Sequence, residues 1–219
     1  MQRKQKKVQK KGLFVLIFIP VMMMLSGCGG GVAGEGGNQY PQTSGTTIVR
    51  ANSFNDEGWD LISKGQYQSA IALFNQVLAD NPTAQEACEA NSGLGWARGR
   101  IGSLKDGMEW FAKAVDGSND AKVGMAAAYI QMGSKSDLEN AVDLLYTKLG
   151  GENPHFHYTT SRATGVSDAE CHALLAFAFA GIGRSDDATI QLDYAKELNP
   201  NWQSTTIEQI NNVVDFLNK

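Results

Sequence analysis

One pattern limits what this chain can fold into more than any other. A glycine, a short polar turn, a small residue and, four positions further on, a large apolar residue occur together four times. The first copy runs from Lys64-Gly65 through Ala70 to Phe74, the second from Ile101-Gly102 through Gly107 to Phe111. The third begins at Met132-Gly133, carries three extra residues in its turn, and reaches Ala141 and Leu145. The fourth runs from Ile182-Gly183 through Ala188 to Leu192. The small residues lie 37, 34 and 47 positions apart. A helix hairpin needs a left-handed residue at its turn, which glycine supplies without a Cβ penalty. Two helices approach closely only where one presents a side chain no bigger than a methyl, and a large residue one turn on fills the groove beside it. Ala70, Leu73, Phe74 and Val77 have the spacing of one apolar helix face. Ala188, Gln191, Leu192 and Ala195 repeat it, with Gln191 as the exception. The pattern predicts successive helix hairpins and an all-α fold.

These residues resemble the tetratricopeptide repeat, a helix–turn–helix unit of about 34 residues. The first unit supplies Gly58, Tyr67, Ala70, Phe74 and Pro82, and the second Leu94-Gly95, Phe111 and Ala114. The third supplies Ala126, Tyr129, Ala141 and Leu145, and the fourth Leu175-Ala176, Phe179, Ala188, Ala195 and Pro200. The resemblance implies a right-handed solenoid of about four hairpins over residues 53–204. Residues 150–166, with Gly150-Gly151, Pro154 and Gly165, read as a loop between the third and fourth units. In residues 205–219, Ile207, Ile210, Val213, Val214 and Leu217 form one apolar stripe, which suits a helix capping the exposed end of a stack.

The resemblance also implies a concave groove, lined by the first helix of each unit, that holds a protein or peptide. The ninth positions of those helices are Trp59, Trp96, Ala127 and Phe177, with Arg100, Ile130 and Gln131 on neighbouring positions. Aromatic and arginine side chains dominate binding hot spots. The same rings could equally pack between neighbouring units.

The amino terminus reads as an address. Six basic residues stand in the first eleven, followed by the unbroken apolar run Leu13–Leu25 and then Ser26-Gly27-Cys28. A basic stretch, an apolar stretch and a small-residue cleavage site make a secretory signal peptide, here residues 1–27. Leu25-Ser26-Gly27-Cys28 resembles the bacterial lipobox. That family implies cleavage before Cys28 and acylation of its sulfur, which anchors the chain in a bilayer by burying acyl chains. The alternative is an uncleaved membrane-spanning helix over residues 13–34, against which Pro20 and Gly27, Gly29, Gly30 and Gly31 argue. Gly29, where an aspartate would signal inner-membrane retention, points by resemblance to the outer membrane. Residues 28–52, rich in Gly, Ser, Thr and Gln, read as a flexible tether.

Charge narrows the functions. Without its first 27 residues the chain keeps 13 basic and 23 acidic residues, a net of −10. Nucleic-acid binding needs basic groups that displace counterions, so nucleic acid is a poor partner. No phosphate-binding, nucleophile-elbow or zinc-protease motif is present, and no cofactor is implied. His155, His157, Cys171 and His172 sit close in sequence, so an enzyme or metal-binding protein using residues 150–172 is the alternative to a noncatalytic binding module. They lack a familiar zinc-ligand spacing, and no metal site is expected. Cys88 and Cys171 begin different units, too far apart for a disulfide, and read as buried small apolar residues.

Overall fold

The computed structural model describes residues 44–200. The signal peptide, Cys28 and the capping helix expected over 205–219 lie outside these residues. Among the described residues every regular element is helical, and no helix is long and apolar enough to cross a membrane. The chain is all-α.

Four hairpins follow one another. Helix α1 (Ser44–Ser63) pairs with α2 (Tyr67–Ala79). Helix α3 (Ala84–Ile101) leads through a short 3-10 turn (Leu104–Gly107) into α4 (Met108–Ala114). Helix α5 (Asn119–Met132) pairs with α6 (Lys135–Val142), which continues as π-helical turns over Asp143–Leu149. Helix α7 (Asp168–Gly181) pairs with α8 (Ser185–Leu198). Each helix packs on the next, and α1, α3, α5 and α7 also pack on one another in that order.

Two sequence expectations change. The tether expected to reach residue 52 ends earlier, because α1 starts at Ser44 and Ala51 is only 3% exposed. Gly, Thr, Ser and Asn form helices poorly in isolation; α1 as a whole packs against α2 and α3. The three extra residues of the third unit are not a longer turn. Ser134 caps α6 by accepting from the Asp137 N–H, and Lys135 and Ser136 form the first helical turn.

The turn glycines act in two ways. Gly65, Gly133 and Gly183 have φ of 72°, 76° and 85°, the left-handed backbone expected of them. Gly102 does not, with φ −120°. A Cβ there would lie 2.3 Å from the Asp106 carboxylate, which accepts the Ser103 N–H. What a Cβ would meet there is a side-chain oxygen and not backbone.

The small-then-large pattern becomes knobs in glycine sockets. Phe74 of α2 lies between Gly58 of α1 and Gly93 of α3, so near that a Cβ on either would meet its ring at 2.7 and 2.2 Å. Phe111 of α4 lies between Gly95 of α3 and Gly124 of α5, with corresponding distances of 2.4 and 2.5 Å. Trp59 stands edge-on to Phe74 at 5.9 Å and Trp96 edge-on to Phe111 at 5.6 Å, a favoured aromatic geometry. Phe74 and Phe111 thus each join their own hairpin to the next.

Candidate functional site

The segment between the third and fourth hairpins returns across the first helices as a strap. Its anchors begin at Phe156, a buried ring whose centroid is 4.4 Å from that of His172. His172 is fully buried, with Nε2 2.9 Å from the Phe156 carbonyl and Nδ1 2.5 Å from Oε1 of Gln191. Gln191 Nε2 donates to the Pro154 carbonyl. The polar exception on the apolar face of α8 is therefore a loop anchor. Asp168, in the first turn of α7, accepts the Tyr158 N–H and lies 2.8 Å from Nδ1 of His157.

The middle of the strap rests on Asp120, which opens α5 and is 2% exposed. A carboxylate is favoured at a helix N-terminus, and this one is well supplied with donors. The Tyr158 hydroxyl donates to Oδ1 at 2.6 Å, and the Ser161 hydroxyl and N–H donate to Oδ2 at 2.8 and 3.2 Å. The far end is held by charge. Arg162 donates to Asp56 of α1 at 2.7 Å and also pairs with Glu89 of α3. Burial pulls the Arg162 guanidinium down, but these two carboxylates outweigh it and hold it above its ordinary value. Arg100 of α3 donates to the Thr164 carbonyl at 2.8 Å.

The Tyr158 phenol is raised, first by burial and then by the Asp120 carboxylate. A raised phenol contributes stability that is fully present below its ordinary value, about 10, and is lost as the pH climbs above it. Tyr158→Phe is expected to cost about 1–2 kcal/mol at neutral pH and to leave a shallower alkaline decline. Denaturation midpoints of both proteins across pH test this; parallel curves would contradict it.

Beside the strap lies a cleft of about 460 Å³, bounded by Trp59 of α1, Glu89 and Ser92 of α3, Ser118 and Asn119 at the start of α5, and Arg162. A second hollow of about 320 Å³, with Asp56, Asp60 and Ser63 in its wall, shares Trp59 and Arg162 with it. The walls carry polar side chains from three of the four first helices. The Trp59 indole N–H is buried and has no hydrogen-bond partner among the described residues.

Most groove residues drawn from the repeat resemblance lie elsewhere. Trp96 is 0% and Ile130 4% exposed, and Ala127 is fully buried, so none of them faces an open groove. Trp96 instead donates to the Asp120 carbonyl at 3.1 Å, so packing between units claims its ring. Trp59 is 3% exposed, yet it borders both hollows. Arg100 grips the strap, while Gln131 and Phe177 are half-buried and border neither hollow.

Residues 150–172 bring Asp168, His157 and Tyr194 into a row, with the Tyr194 hydroxyl 3.2 Å from Nε2 of His157. Burial and then Asp168 and Glu197 raise the Tyr194 phenol, the reverse of what activates a nucleophile. Among the described residues no three His, Cys, Asp or Glu side chains converge as a metal site. Cys88 and Cys171 are buried and not disulfide-bonded. Burial and then Asp168 push the Cys171 thiol well up, away from thiolate chemistry.

Sequence reasoning missed Asp56, Glu89, Asp120, Tyr158, Ser161 and Arg162. One signal was present: Arg162 is the sole Lys, Arg, Asp or Glu between Glu152 and Asp168 in an otherwise acidic chain.

The fold and site define an all-α chain with a polar cleft partly covered by its own strap. Compared with known proteins, it matches no protein-family model and no curated protein.

Proposed function

We propose that this chain is a noncatalytic binding module of the bacterial cell envelope, held at the membrane by lipid on Cys28. In this reading the four hairpins form a right-handed tetratricopeptide-like stack that holds a protein or peptide segment on the face of α1, α3 and α5. The lipobox residues Leu25-Ser26-Gly27-Cys28 support the anchor, and Gly29 favours an outer-membrane position facing the periplasm. One observation carries the binding role: the cleft of about 460 Å³ draws its walls from three first helices and presents hydroxyl, amide and charged groups together. Convergent polar groups in a concave site are what fix a ligand's orientation and give it specificity. The −10 net charge of residues 28–219 disfavours nucleic acid as the occupant.

Asn119 is exposed at the rim of the cleft, so a tryptophan there fills it without entering the core. Crosslinking in intact cells followed by purification of the full chain is expected to recover a defined partner protein. Asn119→Trp should abolish recovery, whereas Lys135→Ala, on α6, should retain it. A blank recovery from wild type, or undiminished recovery with Asn119→Trp, would overturn the binding role.

A further inference from the structure

Three successive first helices each direct one acidic side chain at the strap: Asp56 from α1, Glu89 from α3 and Asp120 from α5. The strap residues that meet them are 38 to 106 positions away in sequence. Between Tyr158 and Thr164 the polar grip on these helices includes the contacts of Tyr158, Ser161 and Arg162 and the Arg100 contact to the Thr164 carbonyl, and Tyr158 and Thr164 are themselves buried. The strap therefore sits on the helix face much as a separate extended segment would. It does not fill that face, because the two hollows flank Arg162.

We propose that residues 158–164 are an internal occupant of the binding face, and that the external segment they exclude is basic. Its features follow from what the strap uses: an extended chain with an arginine or lysine that takes Asp56 and Glu89 from Arg162. Small hydroxyl residues beside that cation suit the polar walls at Ser92 and Ser118. The Trp59 indole N–H lacks an acceptor, which a backbone carbonyl of the incoming segment supplies. The Arg162 side chain is 27% exposed and those of Asp56 and Glu89 are 65% and 20% exposed. The Asp56 pair is open to water and contributes little, whereas Arg162 and Glu89 are half-buried, so an incoming cation must take over Glu89 and not leave that carboxylate unpaired. The acidic net charge of the chain steers a cationic partner toward it. This inference rests on the binding-module reading above.

Hydrogen exchange of the strap amides, followed by mass spectrometry on the full chain, tests it with two synthetic octapeptides. One alternates serine and arginine, the other serine and glutamate. The serine–arginine peptide in excess is expected to speed exchange across residues 159–164 by about fivefold, the upper end for loss of one exposed ion pair, while α2 amides stay unchanged. The serine–glutamate peptide should have no effect. The double variant Asp56→Asn, Glu89→Gln should exchange its strap faster without peptide and show no further response. A strap indifferent to the serine–arginine peptide, equally responsive to both peptides, or still responsive in the double variant would overturn the proposal. A blank recovery in cells with a responsive strap would sink the partner reading alone. A recovered partner with an inert strap would sink only the displacement.

Discussion

Phe111→Ala is expected to lower the stability of the chain by about 4 kcal/mol, the scale for emptying a fully buried aromatic site. Phe111 is 0% exposed and stands edge-on to Trp96. The cavity would not close easily, because its walls are the backbones of α3 at Gly95 and α5 at Gly124. Both helices would have to shift to refill it, so the loss spreads over two hairpins. The complementary change, Gly95→Ala, puts a methyl 2.4 Å from the same ring and is expected to cost about 1–3 kcal/mol by overpacking. Combining the two should cost less than their sum, since each relieves the strain or void left by the other. Chemical denaturation of the full chain, followed by circular dichroism, measures all three. A loss under about 1 kcal/mol for Phe111→Ala would show that the ring does not join the hairpins.

Asp120→Ala is expected to cost about 3 kcal/mol and to release the strap. It strands the buried Tyr158 hydroxyl and leaves the Ser161 hydroxyl and N–H without their acceptor. Asp120→Asn should fall between wild type and alanine, because the amide keeps one acceptor oxygen but turns donors toward donors. Exchange of the amides of residues 158–162 reads the release, and denaturation reads the cost. Unchanged strap exchange in Asp120→Ala would place the anchorage wholly at Phe156, Asp168, Arg162 and Arg100.

The hairpins were legible because their signals are local. Ala70 with Phe74 and Gly107 with Phe111 lie one helical turn apart, and their spacing alone implies close-packed helix pairs. The positive-φ glycines 65, 133 and 183 were legible for the same reason. A finer repeat went unread: Gly58-Trp59 and Gly95-Trp96 are 37 residues apart, the same interval as Phe74 and Phe111. That shared interval sets Trp59 against Phe74 and Trp96 against Phe111, so Trp96 lies in the core, while Trp59 also borders the two hollows. The site was not legible, because its contacts join residues distant in sequence. Asp56 and Arg162 are 106 positions apart, and nothing local marks Asp56 among the other acids of a polar helix face. Gln191 looked like a flaw in an apolar stripe because its partners, His172 and Pro154, lie 19 and 37 positions away.

A photo-reactive amino acid placed at Asn119, with the full chain expressed in intact cells, addresses the account most directly. The cleft reading predicts one covalent adduct of defined mass on illumination, and no adduct when the same group replaces Lys135 on α6. An Asn119 probe that captures nothing, or the same adducts from both positions, would contradict it.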